Sequence, residues 1–251
     1  MPSNPVTLDR FPQGFRAAVF GASGGIGGAM ARHLAASPRC GRLYAGARRG
    51  VELPPGPVTG FAFDLEDEAS IAAASASIAA AGPLHLVIVA TGVLHGGGLA
   101  PEKTWRSLEA GAMARAFAVN TIGPALIAKH TLGALARGEH AVFAALSARV
   151  GSITGNRLGG WHSYRASKAA LNMLIRNFAI ELSQRNPSAV AIALHPGTVD
   201  TPLSKPFQGA VPADGLFTAD DSAARLLNVI NAISPDNSGC LHDWDGKAVE
   251  F

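Results

Sequence analysis

Apolar positions in this chain come in short continuous runs, not in strict alternation with polar ones. Phe15–Phe20, Arg42–Ala47, Val58–Phe63, Leu84–Ala90, His140–Leu146 and Ala189–His195 are the clearest. Runs of this length without an inward–outward alternation predict strands buried on both faces, as in a parallel sheet. Between them lie stretches with apolar residues at helical spacing, covering residues 29–35, 66–80, 102–115, 118–137, 164–185 and 219–234. A last short strand is expected at Cys240–Trp244. Strand and helix alternate from end to end, with no linker or shift in composition. The pattern predicts one α/β domain: a doubly wound parallel sheet of about seven strands with helices on both faces. Residues 1–14 are Pro-rich and read as a loose lead-in, and 203–217 as a flexible segment.

Composition narrows the class. Of 251 residues, 48% are hydrophobic and 16% charged, a balance that excludes disorder and provides a sizeable core. The net charge is +3, yet no basic cluster exceeds Arg48-Arg49, so no nucleic-acid stripe is present and a small anionic ligand is the better match. Cys40 and Cys240 are isolated and show no metal spacing, which suggests a reducing compartment. The first residues lack the basic-then-apolar form of a signal peptide, and the longest apolar runs are about half of a membrane span. A cytoplasmic protein without a membrane partner is expected.

Candidate chemistry sits at the strand ends. Phe15–Phe20 runs into Gly21-Ala22-Ser23-Gly24-Gly25-Ile26-Gly27-Gly28, which has five glycines in eight residues and precedes a helix. Strand, glycine turn and helix form a phosphate cradle: the backbone can approach a pyrophosphate and the helix offers free N–H groups. The spacing is not G-x-G-x-x-G. The second strand ends at Arg48-Arg49 and not at an acid. Arginine there accommodates a 2′-phosphate, which points to NADP(H) over NAD(H). Tyr164 and Lys168 are four apart on a predicted helix and share a face. An ammonium beside a phenol favours phenolate and would lower the tyrosine pKa toward neutrality. Asn120 is a polar residue in an apolar setting near a helix start. Ser147 follows the fifth strand, where ligands of open α/β sheets bind.

Gly21, Gly25 and Gly27, Asp64 at the third strand end, Asn120, Ser147, Tyr164 with Lys168, and Pro196-Gly197 followed by Thr201 occur in an order that resembles the short-chain dehydrogenase/reductase family. The resemblance spans about Arg16 to Trp244, and the segments Ser147–Ile153, Asn156–Trp161, Tyr164–Lys168 and Leu194–Thr201 resemble its C-factor branch. Three features depart from the family pattern. Phe20 stands where a threonine usually precedes the first glycine. Val89-Ala90-Thr91-Gly92 replaces an Asn-Asn-Ala-Gly element. Ser147 and Tyr164 are 17 residues apart, longer than usual, with Ser152 as the alternative serine if the loop shifts the register.

The resemblance implies a Rossmann fold and a hydride transfer between nicotinamide and a carbonyl or alcohol. Tyr164 would be the acid–base, Ser147 would hydrogen-bond the substrate oxygen, and Lys168 would tune Tyr164 and bind the ribose. Asn120 would anchor a water relay. Gly21, Ser23, Gly25, Ile26 and Gly27 would line the pyrophosphate and ribose, and Arg48 would pair with the 2′-phosphate. Asp64 and Leu65 would meet the adenine, Thr91 and Gly92 the adenosine side, and Pro196, Gly197, Val199 and Thr201 the nicotinamide. Val150, Trp161, His162, Leu203 and Phe207 are the expected substrate wall. Pairing into a homodimer or homotetramer through the Asn120 and Tyr164 helices is a further expectation. A protein that binds NADP for signalling, with little turnover, is the alternative.

Overall fold

The computed structural model describes residues 6–50, 52–212 and 215–251. Its centre is an eight-stranded sheet in the order β10-β9-β6-β5-β4-β1-β2-β3. The strands are β1 (Phe15–Phe20), β2 (Cys40–Ala47), β3 (Val58–Ala62), β4 (Leu86–Val89), β5 (Ala141–Leu146), β6 (Ala189–His195), β9 (Leu241–Asp243) and β10 (Ala248–Val249). Seven of them pair in parallel, as expected. β10 is an antiparallel addition that covers the edge of β9. Two short strands, β7 (Thr198–Val199) and β8 (Leu216–Phe217), form a separate parallel pair.

The apolar runs are buried on both faces because each face carries a helix layer. Ala17 and Val19 of β1 pack on one side with Met30 and Leu34 of α1 (Gly25–Ala36) and Leu226 and Ile230 of α6 (Ala219–Ala232). Ala18 and Phe20 pack on the other with Ile71 of α2 (Glu68–Ala80), Ile127 of α4 (Gly123–Thr131) and Leu171 of α5 (His162–Arg185). Strand geometry sends successive side chains to opposite faces, so one apolar run supplies both cores.

Three expectations change. Two separate helices were expected over 102–115 and 118–137. Instead α3 (Ala110–Phe117) passes into α4 through one wide π turn at Ala118–Ile122, so Asn120 lies mid-helix and not at a helix start. Residues 102–108 stay outside the helix: Thr104 caps a short turn at Trp105–Ser107 through its side chain. The lead-in is not loose from residue 6 on, and residues 1–5 lie outside the described residues. Leu8 and Phe11 are buried, Phe11 stacks 5.0 Å from Phe15, and Arg39 donates to the carbonyls of Leu8 and Phe11. Buried aromatic area holds this segment against the start of β1. The 203–217 stretch contains a 3-10 helix at Lys205–Ala210 and ends in β8.

Candidate active site

In this strand order, the chain turns opposite ways from β1 and β4, which opens a crevice at their carboxyl ends. Gly21 ends β1 with φ +100°, and a Cβ there would lie 2.9 Å from the Ala90 carbonyl oxygen. A Cβ on Gly27 would lie 2.3 Å from the Gly21 oxygen, so the turn closes only with hydrogen at both places. Gly25 meets the Pro196–Thr201 segment from the other side: a Cβ would lie 2.8 Å from Thr201 Cγ2. Gly24 caps α1 without a side chain, which leaves the first N–H groups without a side-chain partner. Ile26 is half-buried beneath them.

Above this turn is a cleft of about 340 Å³ lined by Ser23, Arg48, Asp64, Leu65, Thr91 and Gly92, among others. Arg48 is exposed and, among the described residues, makes no hydrogen bond or ion pair. Thr91 Oγ1 is buried with no partner. A cradle closed to any Cβ, an uncapped helix terminus, an unpaired guanidinium and an orphaned hydroxyl fit a phosphorylated dinucleotide. Pro196 and Gly197 border the far side. Ser222 Oγ donates to the Pro196 carbonyl at 2.8 Å, and Gly197 (φ +77°) turns the chain into β7. The Val199 carbonyl accepts from Ser204 Oγ and from Thr201 Oγ1, which fixes the turn between them.

The catalytic candidates converge on α5. Tyr164, Lys168 and Asn172 occupy successive turns of one helix face. Lys168 is buried and its Nζ donates to the Leu146 carbonyl at 2.8 Å. A Cβ on Gly92 would lie 3.5 Å from Asn120 Oδ1 and 3.6 Å from Lys168 Nζ, so Gly92 seats between the two. Asn120 is fully buried. Its Oδ1 accepts from Val93 N at 2.8 Å, and its Nδ2 donates to the Val93 carbonyl and to Ser167 Oγ. The amide thus ties the wide turn to the loop after β4 and to the catalytic helix.

Ser147 continues the β5 ladder through its N–H, which donates to the Leu194 carbonyl at 2.8 Å. Strand alternation points its side chain to the α5 layer, where Oγ donates to Asn172 Oδ1 at 2.7 Å. Asn172 Nδ2 is buried and unpartnered. Ser152 closes a turn instead: its Oγ accepts from Gly155 N at 2.9 Å. The longer loop therefore bulges out after the strand and leaves Ser147 in register. Among the described residues nothing hydrogen-bonds the Tyr164 hydroxyl.

The electrostatics correct one expectation. Lys168 Nζ lies 5.9 Å from the centre of the Tyr164 ring and spends a hydrogen bond on Leu146. Desolvation pushes the Tyr164 hydroxyl up to about 12 and the Lys168 ammonium down to about 8. In the chain alone, burial disfavours both charged forms and outweighs the attraction between them. Tyr164 holds its proton throughout the neutral range.

On the open side, Trp161 lies 6.3 Å from Tyr164 and 5.0 Å from Phe207, ring centre to ring centre, and His95 lies 5.6 Å from Phe207. The structure thus unites Trp161 and Phe207 of the expected wall. Leu203 is half-buried just before the 3-10 helix that carries Phe207, and His162 is half-buried in the first turn of α5. Val150 contributes its carbonyl, which accepts from Arg165 Nη1 at 3.4 Å. Sequence reasoning missed His95, Asn172 and Glu102. Only Asn172 carried a signal, as the residue one turn beyond Lys168.

The sequence model described as short chain dehydrogenase matches residues 16–210. The C-signal protein of Myxococcus xanthus is 36% identical over 139 residues, covering 55% of this chain and 78% of that protein. The 1-hydroxy-2-glutathionyl-2-methyl-3-butene dehydrogenase of Rhodococcus sp. (strain AD45) is 31% identical over 205 residues, covering 82% of this chain and 83% of its own. Among solved structures, the NADPH-bound carbonyl reductase from chicken fatty liver superposes with a TM-score of 0.80 at 26% identity, covering 96% of this chain and 95% of that one.

Proposed function

The chain belongs to the short-chain dehydrogenase family of oxidoreductases, and on that footing we propose that it is an NADP(H)-dependent carbonyl reductase or alcohol dehydrogenase with Tyr164 as acid–base. One observation carries the reading. Half-buried Tyr164 and buried Lys168 share one face of α5, with Lys168 Nζ against Gly92 of the cleft lining. The nicotinamide supplies or accepts the hydride when bound. The chain does the rest.

Arg48 pairs with the 2′-phosphate, and the Gly21–Gly27 turn with Ser23 and the start of α1 receives the pyrophosphate. Asp64 and Leu65 border the adenine, Thr91 and Gly92 the adenosine side, and Val199 and Thr201 the nicotinamide. Tyr164, protonated at neutral pH, donates to the carbonyl oxygen in reduction. The Lys168 ammonium, held at Leu146, then offsets the phenolate charge, and the wide turn at Asn120 provides the route by which the proton is restored. Ser147 can donate to a substrate oxygen only by leaving Asn172. A turned Asn172 amide would present its free Nδ2 to Ser147 Oγ and release that hydroxyl. A binding-only signalling role would leave the desolvated phenol at the cleft without a use, so the enzyme is favoured.

Ile122 beside α4 and Met173 and Ile180 on α5 are exposed, which supports pairing of two copies through these helices. Light scattering tests this; a monomer overturns it. Among the described residues no helix is long and apolar enough to cross a membrane. The decisive test of the main reading is NADPH consumption across a panel of aldehydes and ketones, with Tyr164→Phe as control. Turnover that survives in the variant, or no turnover at all, removes the proposal.

A further inference from the structure

Helix α5 begins without a cap of its own. Trp161 occupies the capping position with φ 51° and makes no side-chain capping bond. It is the one non-glycine residue at positive φ among the described residues, and it follows Gly159 and Gly160, both also at positive φ. A left-handed tryptophan is strained, and such strain persists where neighbours over-determine it.

The neighbour is Glu102, from the loop after β4, and 61 residues upstream of the helix turn it serves. Glu102 is 6% exposed. Its Oε2 accepts from Ser163 N at 3.2 Å, and its Oε1 accepts from the Ser163 hydroxyl. Its backbone carbonyl accepts from Trp161 N at 2.5 Å. Both donors flank the catalytic turn: Ser163 precedes Tyr164, and the Trp161 ring packs edge-on to Tyr164. Arg165 holds the same bend from below, with Nε donating to the Gly160 carbonyl at 3.0 Å.

A carboxylate at a helix start satisfies free N–H groups and meets the positive end of the helix dipole. Burial opposes its charge, and the two Ser163 donors with nearby His162 hold Glu102 below the ordinary carboxylate range. A buried carboxylate fully committed to one helix turn fixes that turn against the loop that carries it.

We propose that Glu102 is a positioning residue for the reaction: it caps the catalytic helix across the fold and sets Tyr164 and the Trp161 wall against the loop that follows β4. The inference rests on the reductase reading. Binding of the dinucleotide uses the other side of the cleft and does not depend on Glu102.

The test compares Glu102→Ala, Glu102→Gln and Ser163→Ala with the parent chain. Glu102→Ala lowers kcat for NADPH-dependent carbonyl reduction by about thirtyfold and raises KM for the carbonyl compound by about fivefold, since displacement of a reacting group by about 1 Å costs on that order. The affinity for NADPH, titrated separately, stays within about twofold. Glu102→Gln, which still accepts one bond, restores much of the loss, and Ser163→Ala falls between. The emission of Trp161, isolated by difference against Trp161→Phe, becomes more open to acrylamide quenching in Glu102→Ala. Unchanged kcat, or NADPH affinity lost in proportion to kcat, overturns the inference. If Glu102→Ala does not fold, Ser163→Ala with parental kcat overturns it as well. If the parent chain reduces no carbonyl compound, the reductase reading fails. The Trp161 quenching then decides whether Glu102 positions this wall, and unchanged quenching overturns that too.

Discussion

The glycine floor of the cleft and its aromatic wall, proposed to hold dinucleotide and substrate, differ in how far apart their parts lie in the chain. The floor is local. Gly21, Gly25 and Gly27 run from the end of β1 into the first turn of α1, and the closeness of that turn follows from their having no Cβ. The wall is assembled from distant pieces. Glu102 reaches Ser163, His95 Nε2 meets the Pro202 carbonyl at 3.0 Å, and Phe207 packs on Trp161. Backbone geometry confined to one turn tolerates little change, whereas a wall of separate loops can be altered piece by piece without disturbing the floor. Cofactor use and substrate choice should therefore respond to different substitutions.

The largest expected effect lies where the two regions meet. Tyr164→Phe removes the proton donor and lowers kcat by about a thousandfold with NADPH affinity unchanged, measured by steady-state rates and a cofactor titration. Next is the floor. Gly27→Ala drives a Cβ into the Gly21 carbonyl and weakens NADPH binding on the order of a hundredfold, with a lower melting temperature; ordinary binding would show that the turn can yield. Arg48→Ala lowers affinity for NADPH by about tenfold and leaves NADH unchanged. Equal loss for both cofactors would remove Arg48 from the 2′-phosphate.

The pH response has a definite sign. Below about 8 Lys168 keeps its charge, and above about 8 it loses it. The kcat/KM for reduction, which reports the free enzyme, should be level below that point and fall by up to about tenfold per pH unit above it. A level profile through the alkaline range would assign the proton chemistry elsewhere. The smallest effect is on the wall: Phe207→Ala should raise KM for an apolar carbonyl compound by about fivefold with NADPH affinity intact.

The contrast also explains what could be read in advance. The strands were legible because Ala18, Phe20, Val87 and Val89 must be buried in any arrangement of this sheet. The cradle was legible because its glycines fall close together in the sequence, and Tyr164 with Lys168 because helical spacing alone puts them on one face. The capping role of Glu102 was not legible: an isolated glutamate beside Pro101 carries no mark of the helix it will reach. The lowered phenol pKa was expected from a charge four residues away, but the desolvation that opposes it belongs to the assembled cleft. The binding of Ser147 to Asn172 likewise needs two elements to meet first. β10 escaped notice because Ala248–Val249 is too short to form a pattern.

The wide turn at Ala118–Ile122 has a consequence for the whole helix pair around it. One residue more than ordinary winding shifts the angular phase of everything after it by about 100°. The segment before the turn and the segment after it therefore face different neighbours: α3 lies mainly against α5, and α4 mainly against α2. A single uninterrupted stretch of backbone thus serves as two differently oriented struts. Asn120 stands at the joint, where the change of phase lets Thr121 Oγ1 reach the Ser167 carbonyl at 2.7 Å.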